Sequence, residues 1–323
     1  MTGWFPMRIG GVDIEAVFGC VPSDEVDNVA ALTPLVGAGR AEEIVRATGF
    51  PSRRVAPEGT DVIDLALPAA RLALEGVTAD DIGGVIGVSF SGRDRFPALA
   101  TRLQSALALP NGIAAYDLSM ACSGWIYGLF AAAQLVRASG KKVLLADGDV
   151  QSPWIDPADA STLAVMGDGA AVALLSPGEG TWDFGFFTDG AGAETLSCRE
   201  TIRMDGFGVF RFVAGPVKRF IASFMQETPL LSGGDAPLFV PHQANMYMVR
   251  QLAEALGLGE RLVSGDARHA NTGSCSAALA LARAPIGETA TRTPVLMAGF
   301  GAGLSAGVAA TALGAFRKGV VEL

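Results

Sequence analysis

The sequence predicts an α/β fold, with central sheets covered by helices. Three observations lead there. Short apolar runs alternate with helical patterns along all 323 residues. Several runs, such as GGVIGVSF from Gly83 and KVLLAD from Lys142, are apolar on both faces, as strands buried between helices are. The second half also repeats the first in outline: Val143 and Val295 open similar runs 152 residues apart, and Val85 and Leu238 sit in similar runs 153 apart.

The elements follow in order. A first strand is expected over 8–18, then a polar turn at Ser23 and Asp24. A helix follows over 41–48, stopped by Gly49 and Pro51. Residues 61–76 read as a helix, with Thr60 as its cap, Leu65, Leu67, Leu72 and Leu74 as apolar positions, and Gly76 at its end. After the buried run at 83–90 comes a helix over 96–107, then a strand over 114–118. The stretch 116–136, YDLSMACSGWIYGLFAAAQLV, passes Cys122 and becomes apolar on nearly every face, so its helix must be buried. A strand over 142–147 and a glycine turn feeding a strand over 167–177 complete the first half. Gly178, Glu179 and Gly180 mark its expected end, giving halves of 1–178 and 179–323. In the second half, a strand from Leu238, a small-residue helix over 274–284 and a strand from Pro294 match their counterparts.

Composition narrows the function. Half the residues are apolar and 18% are charged, which suits a large core and not disorder. The net charge of −9, with no long basic run, argues against a nucleic-acid partner. No apolar stretch is long enough for a membrane span, and MTGWFPMRIGG carries no signal-peptide pattern. The four cysteines, Cys20, Cys122, Cys198 and Cys275, show no metal or disulfide spacing. They suit a reducing cytoplasm, and no metal or cofactor is expected.

Cys122 heads the apolar helix, where unpaired backbone N–H groups and the positive end of the helix dipole favour a thiolate. The competing reading is a small buried hydrophobe. Cys20, Cys198 and Cys275 are read as packing residues. Only His242 and His269 can supply imidazole chemistry. His269 is read as structural, and Asn271 could simply cap the helix after it.

The ordered set of motifs resembles the β-ketoacyl-ACP synthase III family of the thiolase superfamily. ACSGW at 121–125 is similar to its nucleophile motif, VPHQAN at 240–245 to its histidine motif, and RHANTGS at 268–274 to its asparagine motif, with Ala270 where glycine is usual. GFGAG at 299–303 is similar to its C-terminal glycine loop, and RFPA at 95–98 and MGDGAA at 166–171 agree. The resemblance implies a thiolase-like αβαβα sandwich of two pseudo-symmetric halves. It implies that Cys122 takes an acyl group from an acyl thioester, on acyl carrier protein or coenzyme A. His242 and Asn271 would then stabilise the enolate of a decarboxylating malonyl-type thioester, with the N–H groups of Cys122 and Ala302 as oxyanion hole. Phe96, Phe207 and Gly303 are the implied substrate-pocket residues, and a homodimer is the implied assembly.

The chain departs from the family at its substrate entrance. Glu43 and Ala160 stand where an adenine-stacking tryptophan and arginine are usual, and Phe207 replaces a polar residue. Tyr247, and the region of Ala253 and Glu254, lack the usual carrier-docking cations, for which Lys218, Arg219 and Arg250 are possible substitutes. These changes point to a specialised pathway. The rival readings are acyl transfer to an oxygen, nitrogen or carbon nucleophile without decarboxylation, and a non-catalytic partner subunit.

Overall fold

The structure is a computed structural model that describes residues 6–231, 234–287 and 291–323. The expectation about the first residues, 1–5, lies outside the described residues. In chain order the elements are β1 (Met7–Val21), β2 (Glu25–Asp27), α1 (Asn28–Val36), α2 (Ala38–Thr48), β3 (Ser52–Arg54), α3 (Val62–Ala73), β4 (Ile82–Val88), α4 (Leu99–Ala106), β5 (Ala114–Leu118) and α5 (Gly124–Ser139). They continue with β6 (Lys142–Asp149), α6 (Ala160–Leu163), β7 (Gly169–Thr188), β8 (Leu196–Cys198), β9 (Ile202–Met204), α7 (Gly206–Phe212), α8 (Lys218–Glu227), β10 (Leu238–Pro241), α9 (Met246–Ala255), α10 (Cys275–Leu281), β11 (Thr293–Gly301), β12 (Ser305–Leu313) and β13 (Arg317–Glu322).

Nine strands form the large sheet, in the path β10-β11-β12-β7-β6-β4-β5, with β1 beside β7 and β13 beside β1. The duplication expected from the sequence is visible in the pairing. β4 runs parallel to β6, and β6 antiparallel to β7; likewise β10 runs parallel to β11, and β11 antiparallel to β12. The two arms share β1 and β7. β7 pairs with β6 through Gly169–Leu175 and with β12 through Trp182–Thr188. The expected break at 178–180 therefore falls inside one continuous strand. The irregularity there is a register shift in β1 between Gly10 and Val12, opposite Thr181 and Pro177.

Helices α5 and α10 touch strands of both arms and each other, so they form the middle layer. All seven residues of α10 are buried, as are Trp125, Ile126, Leu129, Ala132, Ala133 and Val136 of α5. Small residues let this layer close. A Cβ on Gly128 would lie 2.7 Å from Leu145 Cδ1, so only glycine fits there without repacking. α3 covers the outer face of the first arm, against β1, β6 and β7. Phe220 and Phe224 of α8 and Met248 and Leu252 of α9 pack with Phe239, Leu296 and Val308 on the outer face of the second. The result is the expected αβαβα sandwich.

Two helix starts differ from expectation. Asp61, not Thr60, caps α3: its carboxylate accepts the Val62 N–H at 2.8 Å, and Asp64 accepts the Asp61 N–H at 2.8 Å in a capping box. α4 begins at Leu99 and not at 96, because Asp117 on β5 accepts the N–H groups of Leu99 (2.6 Å) and Ala100 (2.9 Å). A distant carboxylate thus supplies the cap.

Candidate active site

Three loops meet where the middle layer reaches the C-terminal ends of β5, β10 and β11. The first carries Cys122 in a 3-10 turn, Ala121–Ser123, that leads into α5. Ala121 has φ +42°, a strained value for a residue with a Cβ, and it sets the direction of the next residue. Cys122 is half-buried and lines a cavity of about 600 Å³ with Phe90, Gln151, Trp154, Met166, Leu196 and Ala302. The backbone N–H groups of Ala302 and of Cys122 itself lie by its sulfur and favour its charged form.

The thiolate expectation is corrected by burial. Removal from water pushes the Cys122 thiol up to about 11; the two N–H groups pull it down, and Asp149 and Asp147 push it up again. The helix start does not overcome desolvation, so the resting group is the thiol.

The second loop follows β10. The His242 N–H donates to Ala298 O at 2.7 Å, which fixes the loop to β11, and its ring meets Phe300 edge-on at 5.7 Å between centroids. Nδ1 lies 2.8 Å from Ser276 Oγ. Burial lowers the His242 pKa to about 4, while a backbone hydrogen bond with Gly273 acts the other way, so the ring is neutral at pH 7.

The third loop carries Asn271. Its backbone is clamped by Val165 O, Gly167 N–H and the Gln151 side chain. Its Oδ1 accepts the Gly273 N–H at 3.0 Å, and its Nδ2 donates to Ala244 O at 3.4 Å, two residues beyond His242. The Asn271 carboxamide therefore faces the His242 loop, and it is not a helix cap. The glycine loop closes the arrangement on the Cys122 side. A Cβ on Gly301 (φ +153°) would lie 2.9 Å from Cys122 Sγ, and one on Gly299 2.9 Å from Ser123 Cα. The loop is tied back by Ser305, whose hydroxyl meets Ser123 Oγ at 2.8 Å and Ala302 O at 2.6 Å.

The implied pocket residues are placed differently. Phe96 is 85% exposed and outside the cavity lining, although Arg95 and Pro97 on either side line it. Phe207 is also exposed, with the Arg211 guanidinium 5.8 Å from its ring centre. Gly303 follows Ala302 with φ +130° and lies outside the lining. Cys198, read as a packing residue, is exposed on β8 and lines the same cavity as Cys122. Cys20 and Cys275 are buried, and His269 is buried beside Asp266.

Two buried carboxyls under the site were not anticipated. Asp149 Oδ1 accepts Ser89 Oγ, Phe90 N–H, Ser91 N–H and Ser91 Oγ at 2.8–3.2 Å, holding the loop that supplies Phe90 to the cavity. Burial lifts its pKa to about 6 against those hydrogen bonds. Asp147 Oδ1 accepts Ser274 Oγ at 2.6 Å, and its Oδ2 has no partner. Burial raises the Asp147 pKa well above its ordinary value, against the hydrogen bond from Ser274. The signal was the pair of acids ending an otherwise apolar strand, LLADGD.

Known proteins give the arrangement a family. The family model for 3-oxoacyl-[acyl-carrier-protein] synthase III matches residues 116–190, and that for its C-terminal part matches 229–313. A β-ketoacyl-[acyl-carrier-protein] synthase III of Geobacillus kaustophilus is 33% identical over 279 residues, 84% of this chain and 89% of the relative. A synthase III 2 of Streptomyces coelicolor is 35% identical over 94% of both chains. The crystal structure of a 3-oxoacyl-(acyl-carrier protein) synthase from Burkholderia xenovorans superposes over 100% of both chains, with a TM-score of 0.93 and 30% identity. That of the priming β-ketosynthase of the R1128 polyketide pathway covers 95% of this chain and 97% of its own, with a TM-score of 0.83 and 30% identity. The chain belongs to the β-ketoacyl-[acyl-carrier-protein] synthase III family, condensing acyltransferases of the thiolase-like fold.

Proposed function

We propose that the chain forms an acyl-Cys122 from an acyl thioester and condenses it with a malonyl-type thioester. The observation that carries this reading is the sulfur of Cys122, which lines the cavity near the N–H groups of Cys122 and Ala302, while the Asn271 carboxamide reaches the His242 loop at Ala244 O, 3.4 Å away. In the first half-reaction the Cys122 sulfur attacks the acyl carbonyl, and the oxyanion lies on the Cys122 and Ala302 N–H groups. The C–S bond to the carrier breaks, and the carrier sulfur leaves with the proton that Cys122 gives up. In the second, the malonyl C–C bond breaks to release CO₂. Its electron pair becomes an enolate, held by N–H donors of His242 and Asn271. The enolate carbon then attacks the acyl-Cys122 carbonyl, and Cys122 leaves as the new C–C bond forms. A donor aimed at developing charge contributes about 3–4 kcal/mol.

The division of labour follows the two halves, 1–178 carrying the nucleophile and 179–323 the enolate donors. Acyl carrier protein is the carrier we favour over coenzyme A, because Glu43 is an exposed acid paired with Arg40 at 2.8 Å and offers no stacking surface for adenine. This supports a specialised pathway. The homodimer is supported by β5, the last strand in the sheet path, and by the exposed Phe96 and Tyr116 near that edge. The cytoplasm is supported by four free cysteines. Among the described residues no helix is long and apolar enough to cross a membrane.

The test incubates the protein with a panel of acyl-carriers and acyl-CoAs, follows the intact mass, and then adds malonyl-carrier. The expected result is an adduct on Cys122, followed by CO₂ and a β-ketoacyl product. Adduct without CO₂ would favour simple acyl transfer. No adduct with any donor would favour a non-catalytic partner subunit.

A further inference from the structure

We propose that Ser276 is a positioning residue that holds His242 in the tautomer bearing its proton on Nε2. The inference rests on the reading of His242 as a donor to the enolate, and it comes from counting hydrogens around one buried hydroxyl. Ser276 Oγ, on α10, has two partners. The Gln243 N–H donates to it at 3.0 Å, and His242 Nδ1 lies 2.8 Å away. All three residues are buried. A serine hydroxyl has one hydrogen to give. Were Nδ1 the protonated nitrogen, Ser276 Oγ would accept twice, and its own hydrogen would have no further acceptor among the described residues. With the hydroxyl donating to Nδ1, both the Gln243 N–H and the Ser276 hydroxyl hydrogen are used. Two neighbours could compete. The Gly273 carbonyl accepts the Ser276 N–H at 3.2 Å and, with its second lone pair, also hydrogen-bonds the ring, so a ring N–H given to it is the rival arrangement. The gap beside Ser276, shared with Gln243, His269 and Thr272, is about 10 Å³, at the lower bound for one water.

This tautomer has a chemical consequence. Nδ1 is occupied as an acceptor, and Nε2–H is the donor left for substrate. His242 then cannot take the Cys122 proton at Nε2, which fits the transfer of that proton to the departing carrier sulfur. The Gln243 N–H completes the device. It occupies one lone pair of Ser276 Oγ and turns the hydroxyl hydrogen toward the ring. Sequence alone hides this, because Ser276 lies in a run of small residues that reads only as packing.

The test labels histidine with ¹⁵N. The chain has two histidines, so a His269→Gln variant assigns His242 directly. The proposal expects a non-protonated Nδ1 and a protonated Nε2 in the wild-type protein. Ser276→Ala should shift the ring toward the Nδ1–H form and slow CO₂ release from malonyl-carrier on the order of 100-fold. Acylation of Cys122 should change less than about threefold. Ser276→Thr, which keeps the hydroxyl, should restore both the ring signature and CO₂ release. A wild-type Nδ1–H signature would overturn the proposal, as would a Ser276→Ala protein, folded by circular dichroism, that keeps both the wild-type tautomer and CO₂ release. A wild-type protein that never releases CO₂ would instead overturn the condensation reading, leaving the tautomer to be read from the ¹⁵N signals alone.

Discussion

Asp149→Asn should make the protein more stable at neutral pH and not in acid. Burial raises the Asp149 pKa from 3.8 to about 6 in the folded protein. Below pH 4 the carboxyl is protonated in both folded and unfolded chains, and folding meets no penalty from it. Between pH 4 and 6 the unfolded chain releases the proton while the folded chain keeps it, so stability falls as pH rises. At about 1.4 kcal/mol per pH unit, the loss reaches about 3 kcal/mol above pH 6. Asparagine escapes this titration. It also keeps the oxygen that matters, since all four donors from Ser89, Phe90 and Ser91 converge on Oδ1. The assay is urea unfolding of both proteins from pH 4 to 8. The stability difference should move by about 3 kcal/mol in favour of Asp149→Asn across pH 4–6 and then level off. A difference independent of pH would refute the burial argument.

Two further outcomes follow from the same geometry. Gly301→Ala should slow acylation of Cys122 at least about tenfold, because the new Cβ would meet the sulfur at 2.9 Å where φ is +153°; stopped-flow release of the carrier thiol measures it, and an unchanged rate would contradict the placement of the glycine loop. Alkylation of Cys122 by iodoacetamide, followed at the level of its own peptide to separate it from Cys198, should rise about tenfold per pH unit from 7 to 9, since the thiol is pushed up to about 11. A plateau near pH 7 would show a thiolate instead.

Much of the fold was legible because the strongest signals are periodic. The apolar β4 and β6, the small-residue α10 and the wholly apolar α5 can hardly be placed anywhere but inside layers. What escaped was carried by contacts distant in sequence. The α4 start depends on Asp117, which no local pattern reveals. β7 runs through Gly178 and Gly180 because β1 and β12 pair on either side of them. The candidate residues Cys122, His242 and Asn271 stand out in distinct sequence motifs, but their electrostatics do not. A dipole argument at the head of α5 favours thiolate; only the three-dimensional burial of the sulfur, with Asp147 and Asp149 beneath it, reverses the sign. Phe96, whose motif suggests a pocket wall, is exposed and lies outside the lining of the cavity.

The central claim is that one arm loads the acyl group and the other makes the enolate. The most direct measurement compares His242→Ala with wild type in a single experiment, recording the intact mass after incubation with an acyl-carrier and then ¹⁴CO₂ from labelled malonyl-carrier. The account predicts a full acyl adduct on Cys122 in both proteins and a loss of CO₂ release on the order of 100–1000-fold in the variant. A variant that fails to load, or that releases CO₂ at the wild-type rate, would contradict it.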